Sequence, residues 1–87
     1  MITLGSKIFL EGFDSLDPAK IIVIKKIVGN YVKSLENNGE VVNNLKLKLE
    51  VLNDEFKIIG SLEEKTVEAN DLNLFYSLNS VLTKLRT

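Results

Sequence analysis

Apolar and polar residues alternate most strictly over residues 45–51. Leu45, Leu47, Leu49 and Val51 fall on one side, and Lys46, Lys48 and Glu50 on the other. A period of two is the mark of a strand with one buried face. After a tight turn at Asn53-Asp54, Phe56, Ile58, Gly60 and Leu62 repeat the pattern against Lys57, Ile59 and Ser61. A second turn at Glu63-Glu64-Lys65 leads into a short strand over residues 66–70, with Val67 and Ala69 inward. Near the N-terminus, residues 7–13 also read as a strand. Ile8, Leu10 and Gly12 lie on one side and Phe9, Glu11 and Phe13 on the other. The stretch 2–4 either extends that strand or pairs at its edge.

Two segments switch to a period near 3.6. At 100° per residue, Ile24, Ile27, Val28, Tyr31 and Leu35 share one helix face, with Ile21 and Val32 at its margin. Asp17 suits the N-cap and Pro18 the first helical position, where no N–H is needed. The spacing predicts a helix over residues 18–36, ended by Asn37-Asn38-Gly39 with Gly39 as a left-handed cap. Residues 40–44 then form a loop. A second helix follows residues 70–73, with Leu74, Phe75, Leu78, Val81, Leu82 and Leu85 as its apolar stripe. The order is β-α-β-β-β-α. This α+β pattern predicts a four-stranded sheet with two helices packed on one face.

The length of 87 residues supports one domain, residues 1–87, with one modest core. No apolar run approaches the roughly 18 residues of a membrane span, and no signal-peptide pattern opens the chain, so a cytoplasmic protein is the expectation. The chain contains neither cysteine nor histidine. Thiol chemistry is thereby excluded, and the commonest general base and zinc ligand are missing. There is no Gly-rich phosphate loop and no nucleophile elbow. Asp14 and Asp17 suit turn and cap roles better than a metal pair. We therefore expect no enzyme, no cofactor, no metal and no small-molecule substrate.

The formal net charge of −1 does not advertise a nucleic-acid ligand. Distribution decides more than the sum. The first helix carries Lys20, Lys25, Lys26 and Lys33, with acids only at its ends. Lys26 and Lys33 stack on one exposed stripe, Asn30 lies near it, and Gly29 sits between Lys25 and Lys33. Glycine in an exposed helix costs roughly 1 kcal/mol against alanine. Close approach by another backbone, such as RNA, is one reason to accept that cost. A solvated lysine face with an incidental glycine is the other reading. On the sheet, Lys46, Lys48 and Lys57 are expected on the face away from the helices. Phe9 and Phe13 would share that face and offer rings to bases or to a partner chain.

The C-terminal run from Asn73 through Leu78-Asn79 to Lys84-Leu85 carries a further signal. It resembles the last helix of the ribosome hibernation-promoting factors, or ribosome-associated translation inhibitors. In that pattern Ala69 matches the strand alanine, Asn73 the first Asp, Phe75 the Tyr, Leu78-Asn79 the Ile-Asp and Lys84-Leu85 the Lys-Leu pair. The family's element order is the one derived above. The resemblance implies a stress-response factor that binds rRNA of the small ribosomal subunit, occupies the decoding channel and inhibits translation. It implies Lys25, Lys26, Lys33, Lys84 and Arg86 as contacts, beside Gly29 and Asn30. No second, dimerising domain is present, so ribosome pairing is not expected. The competing reading is a protein-interaction module that dimerises or binds a partner through its sheet edges.

Overall fold

The structure, a computed structural model, describes residues 2–4 and 7–86, with the Arg86 side chain outside the described set. It is an α+β fold with strands β1 (Ile2–Leu4), β2 (Ile8–Glu11), β3 (Leu45–Leu52), β4 (Glu55–Leu62) and β5 (Lys65–Asp71). Helix α1 (Pro18–Asn37) connects β2 to β3, and α2 (Leu74–Arg86) follows β5. The sheet order is β1-β2-β3-β4-β5. Only the β2–β3 pair is parallel, because α1 crosses over between them. The tight two-residue turns force β3, β4 and β5 into an antiparallel meander.

The sheet has five strands where the alternation predicted four. Residues 2–4 do not extend β2 but take the other expected place, at its edge. They pair antiparallel with it, Ile2 opposite Leu10 and Leu4 opposite Ile8. Both side chains thus fall in phase with the buried row and pack against the core.

A second correction concerns Phe13. It was expected on the outer face with Phe9, but β2 stops at Glu11 and Phe13 is fully buried. Gly12 takes φ 80°, and residues Phe13–Ser15 turn into a 3-10 helix. Gly12 lies so close to β3 that a Cβ there would come 2.5 Å from the Leu49 carbonyl oxygen. The left-handed turn swings Phe13 under the sheet.

One core joins the inner face of the sheet to both helices. Ile8, Leu10, Leu45, Leu47, Leu49 and Ile58 meet Ile24, Val28 and Leu35 of α1 and Leu78, Val81 and Leu85 of α2. Gly60 lets α2 approach, since a Cβ there would meet the Val81 side chain at 2.4 Å. Val51 keeps the inner phase of β3 but is 54% exposed, because the β3–β4 hairpin overruns the helices. The smallest principal extent is 17 Å, the thickness of one helix layer on one sheet layer. Among the described residues nothing therefore covers the outer face of the sheet. Among the described residues, no helix is long and apolar enough to cross a membrane.

Candidate nucleic-acid interface

Helix α1 is fixed at both ends by local chemistry. The Asp17 carboxylate accepts the Ala19 N–H at 3.0 Å, and Pro18 occupies the first position. At the far end Gly39 has φ 85°, Gly39 N–H donates to the Glu36 carbonyl and Glu40 N–H to the Leu35 carbonyl. This paired closure satisfies carbonyls that the last turn leaves open. Burying Ile24, Val28, Tyr31, Val32 and Leu35 sets the rotation of the helix. The opposite side must then face solvent.

That side carries Lys25, Lys26 and Lys33, all exposed. Lys26 and Lys33 stand about 10 Å apart along the axis at 1.5 Å per residue. Between them, no described atom outside Gly29's chain neighbours and the adjacent helix backbone lies within 4 Å of where a Cβ would sit at Gly29. No internal contact requires glycine there. Ile22, 64% exposed, extends the same face toward the N-terminus.

Charge pairing separates these lysines from Lys7, Lys48 and Lys57. Lys7 bonds Glu36 at 2.7 Å, which draws the single carboxylate of the outer α1 face toward the sheet. Lys48 lies 4.0 Å from Glu11 and 3.7 Å from Glu50, and Lys57 lies 3.7 Å from Glu68. Among the described residues, Lys25, Lys26 and Lys33 have no carboxylate within ion-pair reach. Exposed pairs contribute little to stability. They do cancel local field, so the lysines of α1 keep a positive field that Lys7, Lys48 and Lys57 lose.

Other expected contacts lie elsewhere. Asn30 is exposed beside the stripe and also lines a shallow groove of about 310 Å³ between the helices, with Ile27, Tyr31, Asn79, Leu82 and Thr83. Lys84 projects from the far side of α2, where its ammonium donates to the Glu68 carbonyl of β5 at 2.8 Å. The Arg86 side chain lies outside the described residues. The structure thus gathers Lys25, Lys26, Gly29, Asn30 and Lys33, and it separates Lys84 from them.

Lys46, Lys48 and Lys57 point to the bare sheet face, as the alternation required. There Lys46 and Lys48 flank Phe9 and Ile59 in a depression that sequence reasoning did not resolve. Its members come from three strands, so only the strand register could have revealed it. Among the described residues, no group of three or more acidic side chains converges on a metal position. A scan against protein-family models finds no match to the chain, and neither does a search of curated proteins.

Proposed function

We propose that this protein is a non-catalytic RNA-binding domain that works in the manner of the ribosome-associated translation inhibitors. It would hold rRNA phosphates of the small subunit against the outer face of α1 and occlude the decoding channel. One observation carries the reading: among the described residues Lys25, Lys26 and Lys33 share a face with no compensating carboxylate, whereas Lys7, Lys48 and Lys57 are each paired. Gly29 supports it, because the open space above its Cα admits a phosphate-bearing backbone where nothing inside the protein needs room. The contacts are electrostatic, so binding falls steeply with salt.

The test is cosedimentation with purified small ribosomal subunits across a salt series. The double variant Lys26→Glu/Lys33→Glu should weaken association about tenfold or more and flatten the salt slope. Its folding stability should stay within about 0.5 kcal/mol of the parent, since both side chains are exposed. Undiminished cosedimentation of the double variant would remove the α1 face from consideration.

A specific observation favours a second reading, a protein-interaction module. Val51, Leu52, Leu72 and Tyr76 are each more than half exposed. All lie near Phe56, which pairs with Val51 and Asp71 and receives the Ser77 hydroxyl. A salt-resistant dimer on size-exclusion chromatography, with no retained RNA, would favour that reading.

A further inference from the structure

The bare sheet face is not uniform. By register, Thr3, Phe9, Lys46, Ser61 and Thr66 form one row across all five strands. The next row reads Glu11, Lys48, Ile59 and Glu68, and a third reads Glu50, Lys57 and Asn70. In these two rows each lysine is matched by carboxylates, Lys48 by Glu11 and Glu50, and Lys57 by Glu68. The first row has no carboxylate, and Lys46 makes no ion pair among the described residues.

A trough of about 570 Å³ lies where the first two rows meet. Half-buried Phe9 and Ile59 form its apolar floor, with Lys46, Asn44 and Ser61 on its rim. Glu11 and Lys48 close the other rim 4.0 Å apart, and Lys48 also lies 3.7 Å from Glu50, so no free cation is left on that side. An occupant therefore meets an apolar surface with an aromatic ring, one unmatched cation and uncharged hydrogen-bonding groups. That chemistry calls for a flat apolar group carrying a single negative charge beside it.

The openness of the trough selects the kind of occupant. A free small molecule generally needs most of its surface enclosed. Among the described residues no element covers this face of the sheet, so a flat ligand gains one contact face only. A base held on a polymer needs no more than that, because its neighbours on the chain supply further contacts. We propose that this trough is an RNA contact distinct from the α1 face. It takes an unstacked base of a single-stranded segment against Phe9 and Ile59, with the adjoining phosphate on Lys46. The acid-free row sets the axis, so the strand lies along it across the sheet. The proposal shares its ligand class with the reading of α1 but uses the opposite side of the molecule.

Fluorescence anisotropy of the full chain with labelled single-stranded oligouridylate and oligoadenylate tests this. Phe9→Ala should weaken binding roughly tenfold, the usual loss for removing a stacking ring. Lys46→Glu should weaken it several-fold, and Lys46→Ala should lower the salt slope by about one contact. Lys46 is exposed, so that variant reports even where Phe9→Ala perturbs the fold. In parallel, oligonucleotide-induced amide shifts should centre on Phe9, Lys46 and Ser61. Absent binding, binding unchanged in both variants, or shifts confined to α1 would each overturn the proposal. So would a trough occupied by a second copy, seen as concentration-dependent shifts without RNA. Oligonucleotide binding at Phe9 that survives Lys26→Glu/Lys33→Glu upholds it even where subunit cosedimentation fails.

Discussion

Gly12 and Gly29 show how one residue type answers to opposite pressures. Gly12 is confined by its left-handed backbone and by the Leu49 carbonyl. Gly12→Ala should therefore destabilise the fold by about 1–3 kcal/mol, seen as a lower urea midpoint. Gly29 is unconfined, and Gly29→Ala should stabilise α1 by roughly 0.5–1 kcal/mol. The same variant should reduce cosedimentation with small subunits, because a methyl would occupy the space that the proposed RNA backbone uses. A more stable variant with unchanged binding would make Gly29 incidental and narrow the RNA reading to the lysines. The sequence distinguished neither case in full. Gly29 is legible from helical angles alone, whereas Gly12 looks like an inward strand position until its distance to β3 is known. Phe13 was misplaced for the same reason, since a strand period carried past Gly12 puts it on the wrong face.

At the scale of elements, local signals were strong wherever the chain caps or turns by its own chemistry. The α1 cap at Asp17 and its closure at Gly39 stand as the sequence implied. Strand β1 had no comparable signal, because three residues are too few for a period; its place follows from Ile2 and Leu4 completing the inner row beside β2. The sequence places the start of α2 just after residues 70–73, and within that stretch the structure selects Asn73 as the cap. Its side-chain oxygen accepts the Phe75 N–H at 2.9 Å and the Tyr76 N–H at 3.3 Å. Asn73 is itself positioned by Asp71, whose carboxylate accepts its N–H at 2.9 Å. One turn later the buried Ser77 hydroxyl donates to the Phe56 carbonyl at 2.7 Å and ties α2 to β4. Asn73→Ala should cost about 1 kcal/mol, with faster hydrogen exchange at Phe75 and Tyr76. Asn73→Asp should retain most of the stability, since a carboxylate caps as well and favours the positive end of the helix. Equal losses in both variants would mean that the cap contributes through packing rather than through its acceptor.

For the molecule as a whole, the net charge of −1 concealed an uneven surface. The lysine face of α1 was readable because helical geometry fixes it locally. The pairing that makes it distinctive was not, since Lys7 and Glu36 are 29 residues apart and meet only through the β2–β3 crossover. The same holds for Lys84, which the family resemblance suggested as an RNA contact and which lies against Glu68. That position bears on assembly. β5 is an edge strand with seven residues, the longer of the two sheet edges, and an unpaired edge invites strand addition. The Lys84 ammonium occupies the Glu68 carbonyl on that strand, and Lys65, Glu68 and Asp71 add charge along it. A second chain pairing there would have to displace the lysine. β1 offers three residues, too short an edge to hold a dimer alone. The protein should therefore sediment as a monomer from micromolar to millimolar concentration. Lys84→Ala should raise its weight-average mass at the upper end by freeing the β5 acceptor, and Lys84→Arg should not. A parent protein that is already a salt-resistant dimer, with Lys84→Ala no different, would place the contact at the apolar end around Phe56 and return the partner-binding reading to the front.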